Sequence, residues 1–287
     1  MGKKGIIITG ANGFIGKHLV RHFEEAGYDV WPWTRRNVDL AGEGAELQLE
    51  MIAEDNNYFE EYPILIHAAT YDAAPSTSDK DKKLVLETNL RMFMNILDIG
   101  HHFEKVFYFG SGAEKESDVT SSQYGLGKLC MNEMAKAYGN VINLRLYGVY
   151  GPGEDWRYRR LSNMCSKAAL GLPVLMQKYF TIDYLPIVDL CRIMEEFVKN
   201  PPDVSDVDVC RGAFPMRFFV QTLEDVLGQD LQKVETEEDR VYGGDWAVLR
   251  WHLPNDFKFT SHETALKQLY DYYVENEDMI KREEYAY

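Results

Sequence analysis

The chain has 287 residues, with 46 acidic against 31 basic side chains and a formal net charge of −15 at pH 7. This length suffices for a large core, and the acidic balance argues against a nucleic-acid or anionic-membrane surface. No apolar stretch reaches the roughly 18 residues of a membrane helix, and residues 1–4 do not resemble a signal peptide, so we expect a cytoplasmic protein. The four cysteines lack metal-type spacing, so we expect neither a metal site nor a disulfide framework.

The first segment predicts a strand, a glycine turn, a helix and a second strand. Residues 5–9 form an apolar, β-branched run, apolar side chains recur at helical intervals over residues 14–23, and residues 28–31 predict the next strand. The glycines between strand and helix, spaced G-x-x-G-x-x-G, let the backbone approach a pyrophosphate at the start of a helix. The pattern indicates dinucleotide binding by Gly10, Asn12, Gly13, Phe14, Ile15 and Gly16.

The alternation of strands and helices continues through the first half of the chain. Strands are predicted over residues 64–69, 105–109 and 141–145, and helices over residues 82–97 and 122–138. Such alternation implies an α/β fold with a Rossmann-type, doubly wound parallel sheet, whose ligand lies beyond the carboxyl ends of the strands. The segments expected around that crevice are residues 10–16, 34–36, 68–70, 110–112 and 146–153.

Tyr124 and Lys128 form a candidate acid/base pair. Positions four apart share one helix face, so an ammonium group would lie beside a phenol. A phenol has a reference pKa of about 10, and a fixed neighbouring cation favours its ionised form. Such a pair also occurs on ordinary helices; here the glycine turn and the strand ends favour general acid/base chemistry.

The end of the second strand predicts which dinucleotide is bound. Sites that select NAD usually place an acidic residue there, whereas a 2′-phosphate requires cationic donors. This chain offers Arg35 and Arg36, with no carboxylate before Asp39. We therefore expect NADP(H), with NAD as the weaker alternative; solvent-exposed loop charge is the other interpretation of the two arginines.

The second half predicts a smaller, discontinuous α/β lobe. Residues 154–163 are locally basic and aromatic, which suits a diphosphate and a stacked base, although solvated arginines at a helix start give the same pattern. A strand is predicted over residues 207–209, with helices over residues 162–170 and 218–227 and an amphipathic helix after Ser261. The candidate substrate-binding residues in the basic segment are Arg157, Arg160 and Asn163.

Ordered motifs across the first half resemble one family. They are residues 9–16, His67-Ala68-Ala69, Asn89, residues 109–112, Tyr124-x-x-x-Lys128 and residues 145–152. Together they resemble the extended short-chain dehydrogenase/reductases of the NAD-dependent epimerase/dehydratase type, which modify nucleotide sugars. The resemblance covers residues 1–190 well and the remainder only in outline. It implies a cofactor domain over residues 1–153 with a return segment at about 182–200, and a substrate lobe formed by residues 154–181 and 201–287.

The resemblance also implies residue roles. Ser111 would hold the substrate oxygen, Tyr124 would be the acid/base, and Lys128 would support the tyrosine and donate to the nicotinamide ribose. Asp39 and Leu40 would lie against the adenine, and an arginine, Arg240 or Arg250, would reach the substrate diphosphate. A homodimer through the helices around Arg91 and Met131 is implied as well, although the apolar residues of those helices could equally be core. The remaining expected cofactor contacts are Ala68, Ala69, Thr70, Asn89, Tyr147 and Val149.

Absent residues narrow the reaction that the resemblance implies. Sugar dehydratases of this family carry an Asp-Glu pair directly after the catalytic hydroxyl residue, whereas this chain has Gly112 and Ala113, and we expect Glu114 to be a surface carboxylate. Reductases that also epimerise place a cysteine where Ala113 stands. The expected activity is therefore NADPH-dependent reduction of the 4-keto group of a nucleotide-diphosphate-4-keto-6-deoxy sugar, with Tyr124 as proton donor. The alternatives are an NAD-dependent nucleotide-sugar 4-epimerase and a non-catalytic dinucleotide-sensing protein.

Overall fold

The computed structural model describes residues 5–54, 58–72, 79–116 and 118–285, so the basic start at residues 1–4 lies outside the described residues. The strands are β1 (Gly5–Thr9), β2 (Asp29–Trp33), β3 (Ile64–His67), β4 (Lys105–Ser111), β5 (Val141–Leu146), β6 (Val149–Tyr150), β7 (Val174–Gln177), β8 (Phe180–Ile182), β9 (Leu185–Pro186), β10 (Asp206–Val209), β11 (Phe214–Pro215), β12 (Lys233–Thr236) and β13 (Arg240–Tyr242). The helices are α1 (Phe14–Glu25), α2 (Ala45–Glu54), α3 (Tyr58–Glu61), α4 (Asp79–Lys82), α5 (Val85–Asp98), α6 (Gln123–Ala135), α7 (Arg160–Ala169), α8 (Ile187–Lys199), α9 (Met216–Leu227), α10 (Ala247–His252) and α11 (His262–Glu275).

The chain folds as two compact units. The first contains the described residues up to Leu146 together with Ile193–Asp208, and the second contains Tyr147–Arg192 and the chain from Val209 onward. The expected boundary after residue 153 and the expected return at 182–200 therefore differ from the observed ones. The return segment extends further because its last strand, β10, pairs with β5 in the sheet of the first unit.

A six-stranded sheet with the order β10-β5-β4-β3-β1-β2 organises the first unit. The pairs β1–β2, β1–β3, β3–β4 and β4–β5 are parallel, and β1 and β3 are buried along their whole length. The apolar, β-branched runs form these strands because both faces of a parallel sheet are covered by helices. The sheet confirms the predicted Rossmann-type α/β fold. Its order changes direction between β1 and β3, which is where ligands bind in such sheets.

The second strand is longer than predicted. It runs over Asp29–Trp33 and includes Pro32, which is paired with Ile8 of β1. A proline cannot donate a ladder hydrogen bond, and β2 tolerates it because it forms the edge of the sheet.

The second unit contains three small sheets, with the orders β11-β8-β13, β12-β7 and β6-β9. Its core lies between these strands and the helices α7, α9 and α11. The amphipathic helix predicted after Ser261 is confirmed as α11: the Ser261 hydroxyl caps its first turn, and its apolar side packs into this core through Leu266, Leu269 and Tyr273. None of the helices described here is long and apolar enough to cross a membrane.

Candidate active site

The glycine turn after β1 is too tight for side chains at two positions. Gly10 has a φ of +65°, and a Cβ atom there would lie 2.6 Å from the backbone nitrogen and Cα of Ala69. A Cβ atom at Gly16 would collide with the Gly10 carbonyl oxygen, to which the Gly13 N–H also donates at 2.8 Å. Glycine is therefore required at residues 10 and 16 to bring strand, turn and helix into contact.

Helix α1 begins directly after this turn without a side-chain cap. Gly13 occupies the cap position, and Asn12 and Gly13 are exposed. The first N–H groups of a helix lack partners within the helix, and together they carry a partial positive charge. A close backbone approach and an uncapped helix start fit the pyrophosphate of a dinucleotide.

The segment after β3 is fixed by two side chains. The Thr9 hydroxyl accepts from Ala69 N–H at 3.1 Å and lies 2.9 Å from Nδ1 of His67. The Asn89 amide accepts from Tyr71 N–H at 2.8 Å and donates to the Tyr71 carbonyl at 2.9 Å. Both ends of the Asn89 amide are thus engaged with backbone, so Asn89 positions this loop. Ala68 and Ala69 are half-buried beside it, and Thr70 is exposed.

The turn after β2 displays the two predicted arginines to solvent. Arg35 and Arg36 are exposed, and no described residue pairs with either guanidinium group. The Asn37 side chain fixes the turn by accepting from Thr34 N–H at 2.6 Å and donating to the Pro32 carbonyl at 2.8 Å. A rigid turn therefore carries two cations that have no partner in the described structure.

Asp39 and Leu40, expected near the adenine, follow this turn. The Asp39 carboxylate accepts from Ala41 N–H at 3.3 Å and is half-buried. The Leu40 side chain is 4% exposed and belongs to the core of the first unit. Leu40 therefore anchors this segment to the core, and the half-buried Asp39 is the more accessible of the two.

Lys128 is a buried cation beside the Tyr124 ring. Its Nζ lies 5.6 Å from the centre of that ring and donates to the Phe109 carbonyl at 2.7 Å. Burial lowers the pKa of Lys128 to about 8, and the charges of Glu114 and Asp72 oppose this shift. Tyr124 itself is half-buried. The helix thus places ammonium and phenol together as the spacing predicts, and the cation is anchored to β4.

Ser111 is the last residue of β4 and is 6% exposed. Its hydroxyl oxygen accepts from Ala113 N–H at 3.2 Å and so caps the short 3-10 turn Gly112–Lys115. Ser111 therefore lies at the carboxyl end of a central strand, two residues beyond the Phe109 carbonyl that holds Lys128. Ser111 and the Phe109 carbonyl that binds Lys128 therefore lie on the same strand, β4.

Glu114 is not the surface carboxylate that the sequence predicts; that expectation is wrong. It is 5% exposed, forms an ion pair with Nε of Arg145 and accepts from Asn143 Nδ2 at 3.0 Å. Burial raises the pKa of Glu114, and the Arg145 charge opposes this shift. The 3-10 turn folds the side chain back against β5. The signal available in the sequence was Arg145, an arginine in a strand of mostly apolar residues, because a buried cation requires an acidic partner.

Strand β10 supplies further carboxylates to Arg145. The Arg145 guanidinium pairs with Asp208 and, at 3.0 Å, with Asp206. Lys115 pairs with the same Asp208 at 2.9 Å. Arg145 is 3% exposed; burial alone would lower its pKa, but Asp208 and Glu114 outweigh that effect and raise it. The return segment is therefore bound to β5 by strand pairing and by charge, and to the turn after β4 by the ion pair of Lys115.

The predicted substrate arginines belong to the second unit and are ion-paired within it. Arg157 pairs with Asp155 at 2.5 Å and approaches Glu284 at 3.6 Å. Arg160 pairs with Glu238 at 3.2 Å, and its Cζ lies 4.3 Å from the centre of the Phe180 ring.

Asn163 has a supporting position beside these arginines. It is 8% exposed, and its amide donates to the carbonyls of Trp156 and Arg157 at 3.1 Å. Asn163 therefore shapes the loop that presents Arg157.

The other predicted ligand residues of the second unit lie on strands and at a helix end. Tyr147 contacts the Tyr242 ring at 5.3 Å between ring centres, and Val149 lies in β6. Arg240 lies over the Tyr242 ring at 5.2 Å. Arg250 donates to the Pro254 and Asn255 carbonyls at 3.1 Å and so closes the end of α10.

The helices expected to form a dimer interface are partly core. Met131 is 1% exposed and packs inside the first unit, so it takes the alternative role that its apolar pattern allowed. Arg91 is exposed, pairs with Glu87 and donates to the Ala41 carbonyl at 3.3 Å. The part of the chain that the structure describes contains no group of three or more His, Cys, Asp or Glu side chains suited to a metal ion.

Comparisons with known proteins agree with this architecture. An ADP-L-glycero-D-manno-heptose-6-epimerase from Cupriavidus pinatubonensis is 24% identical over 185 residues, a match that covers 56% of this chain and 56% of that protein. A GDP-mannoheptose C4 reductase from Campylobacter jejuni with NADP bound has a TM-score of 0.76 at 14% identity, covering 95% of this chain and 99% of the other. A UDP-glucuronic acid 4-epimerase from Bacillus cereus, in complex with UDP-glucuronic acid and NAD, has a TM-score of 0.74 at 17% identity with coverages of 95% and 99%. The two solved structures share the fold. The sequence model of the NAD dependent epimerase/dehydratase family matches residues 6–209, and the chain belongs to that family.

Proposed function

We propose that this protein is an NADPH-dependent reductase of the 4-keto group of a nucleotide-diphosphate-4-keto-6-deoxy sugar. The observation that carries the proposal is the buried Lys128 ammonium, held by the Phe109 carbonyl beside the Tyr124 ring. Ser111 stands at the end of the same strand. Modification of a nucleotide-linked sugar is the activity named for the C. jejuni reductase, for the B. cereus epimerase and for the heptose epimerase.

The proposed chemistry is proton donation to a carbonyl that is being reduced. A dihydronicotinamide supplies the hydride when bound. Tyr124 gives its phenolic proton to the developing alkoxide, and Ser111 holds that oxygen by a hydrogen bond. Lys128 remains charged and favours the phenolate that results. Neither Gly112 nor Ala113 offers a further acid or base, which favours a single reduction over a dehydration.

The preference for NADPH rests on the turn after β2. Arg35 and Arg36 are exposed there without a partner among the described residues. A 2′-phosphate would supply the charge-assisted hydrogen bonds that both guanidinium groups lack. The pyrophosphate is proposed to lie against the glycine turn and the start of α1.

The substrate diphosphate is assigned to arginines of the second unit. Arg157 and Arg160 are held by Asp155 and Glu238, so a diphosphate would take the place of these carboxylates. Arg240 and Arg250 are the other candidates, and Asn163 supports the loop of Arg157.

An NAD-dependent nucleotide-sugar 4-epimerase is the second candidate. The B. cereus 4-epimerase with NAD shares the fold, and its proposed counterpart here would use the same acid/base pair. Arg35 and Arg36 argue for the reductase, since an enzyme that recycles its cofactor does not need the phosphorylated dinucleotide. A dinucleotide sensor has no use for the buried Lys128 beside Tyr124.

Turnover with a panel of nucleotide-diphosphate sugars separates the candidates, when the 4-keto forms are supplied to test reduction and the 4-hydroxy forms are supplied to test epimerisation. The reductase oxidises NADPH in proportion to the sugar reduced, as absorbance at 340 nm records. The epimerase isomerises the sugar without net change in the cofactor, and the sensor does neither. Tyr124→Phe should lower kcat by about 10²- to 10⁴-fold, the range typical of a lost general acid, while the Kd for NADPH stays unchanged.

Tyr138→Phe is the matched control. Tyr138 follows α6 and is 38% exposed, so its phenol should be dispensable for turnover. Wild-type kcat in Tyr124→Phe would overturn the proposed chemistry, and isomerisation without NADPH consumption would favour the epimerase.

A further inference from the structure

A buried ion pair lies directly behind the proposed catalytic serine. Glu114 is the third residue after Ser111, and its side chain is 1% exposed. One carboxylate oxygen binds Arg145 and Asn143, and the other faces the Ser111 N–H at 3.5 Å. The same residues therefore fix the backbone of Ser111 from one side.

The backbone of β4 packs closely against the residues beside this pair. In the β4–β5 register Gly110 is paired with Arg145 and Tyr108 with Asn143, so these four residues share one face. A Cβ atom at Gly110 would lie 2.8 Å from Cγ of the Asn143 amide. The polar layer is thus packed against the backbone of the strand that ends at Ser111.

Lys128 faces the same charges. Glu114 acts on it from the 3-10 turn, Asp72 from the loop after β3, His67 from the end of β3, and Tyr124 from its own helix. Glu114 is the larger of the two carboxylate influences that favour the charged ammonium. Glu114 itself binds Arg145 and Asn143, and its charge acts on the Tyr108 phenol. One carboxylate thus contacts the serine turn and acts on the lysine charge.

We propose that Glu114 and Arg145 are positioning residues: Arg145 holds the Glu114 carboxylate in place, and that carboxylate fixes the backbone of Ser111 and favours the charged form of Lys128 beside Tyr124. The inference rests on the proposed function, because it assigns a task to a buried pair through the catalytic residues. Fold stability alone does not demand the pair, since well-packed apolar residues often replace a buried ion pair without loss. The Glu114 carboxylate faces the Ser111 N–H, and the Lys128 ammonium binds the Phe109 carbonyl two residues earlier on the same strand, so one carboxylate can provide both orientation and charge.

Glu114→Gln removes the charge while retaining the size of the side chain. We expect kcat to fall about tenfold or more, because a small displacement of a substrate-holding group has effects of that size, while the Kd for NADPH remains within about twofold. We also expect Lys128 to lose its proton at a lower pH, by about half a unit or more, because a favourable negative charge is gone. The alkaline limb of the kcat profile should move in the same direction.

The Lys128 titration can be followed without substrate. The Cε resonance of Lys128, in protein labelled with ¹³C-lysine and assigned with Lys128→Arg, reports the charge of the ammonium directly. It remains informative if the reductase assay fails, so failure of this inference and failure of the proposed function are distinguishable. Glu114→Asp keeps the charge and shortens the side chain; it should restore the titration midpoint but not the full kcat.

Asp206→Asn is the control. Asp206 pairs with the same Arg145 but its side chain is 38% exposed, so its loss should leave both kcat and the Lys128 midpoint at wild-type values. Wild-type kcat together with a wild-type Lys128 midpoint in Glu114→Gln would overturn the inference. If Glu114→Gln does not fold, wild-type kcat in Glu114→Asp would overturn it instead.

Discussion

The arginines expected to meet phosphate differ between the two units of the chain. In the first unit Arg35 and Arg36 stand on a rigid turn without a described partner. In the second unit Arg157 and Arg160 are each paired with a carboxylate. An exposed or half-exposed ion pair is worth only about 0–1 kcal/mol, so a phosphate can replace the carboxylate at small cost. Under the proposed function, Arg35 and Arg36 would bind phosphate directly, whereas Arg157 and Arg160 would first have to release a carboxylate.

The largest effect is expected at Arg35 and Arg36, whose guanidinium groups have no partner among the described residues. Replacing Arg35 and Arg36 by Gln should weaken NADPH binding about 100-fold or more, because each charge-assisted hydrogen bond contributes about 1.5–3 kcal/mol. NADH binding should change little. Fluorescence titration with both dinucleotides measures the two Kd values.

Arg21→Gln is the control for general charge. Arg21 is exposed and pairs with Glu25 on α1, so NADPH binding should persist. Equal losses for NADPH and NADH in the double variant would remove the assigned 2′-phosphate contact.

A smaller effect is expected at the paired arginines, and its sign is informative. If Arg160 binds the substrate diphosphate, Arg160→Gln should weaken binding of a nucleoside diphosphate about tenfold, since one charged contact is lost. Glu238→Gln should instead tighten it by a few-fold, because the competing carboxylate is gone. Isothermal titration calorimetry with nucleoside diphosphates gives both values. A loss of affinity in Glu238→Gln would identify the pair as a structural unit rather than a binding site.

The smallest effect is expected on the free energy of unfolding, from one buried histidine in each unit, and it should be similar in both units. Burial lowers the pKa of His67 in the first unit, and of His262 in the second, to about 3. In the unfolded chain each imidazole has a pKa of about 6.5 and takes up a proton below that pH, whereas in the folded chain it stays neutral down to about pH 3. The free energy of unfolding therefore decreases as pH falls from about 6.5 towards 3. Each histidine should cost about 1 kcal/mol of unfolding free energy at pH 6 relative to pH 8.

Urea unfolding at these two pH values tests the histidines. His67→Asn and His262→Asn should each reduce the difference in unfolding free energy between pH 8 and pH 6 by about that amount. The exposed His101→Asn should leave the difference unchanged. An unaltered difference in His67→Asn would show that this histidine takes up its proton in the folded state.

The sequence predicts much of the first unit because local pattern and topology agree there. A glycine spacing, alternating strands and helices, and a Tyr-x-x-x-Lys pair each depend on neighbours within a few residues, and parallel strands bring their ends together. Helix α1, strand β4 and the contact between Lys128 and Tyr124 follow from these rules. The family resemblance extended them to Ser111.

Such local rules do not identify contacts between residues that are distant in sequence. Glu114 binds Arg145, 31 residues away, and Arg145 binds Asp208, 63 residues away. The return segment Ile193–Asp208 could not be delimited by such rules for the same reason, because β10 joins β5 by pairing that no local pattern of four residues reveals. In the second unit, strands of two to four residues are too short for a period to be recognised.

The return of the chain into the first sheet has a consequence for independent folding. A fragment ending at Leu146 would lack Ile193–Asp208 and with it β10. Strand β5 would then become an unpaired edge available to other chains, and the Arg145 guanidinium would lose Asp206 and Asp208. The first unit is thus not an autonomous N-terminal module. A truncation at this point is expected to aggregate, whereas the intact chain completes its own sheet from a segment translated later.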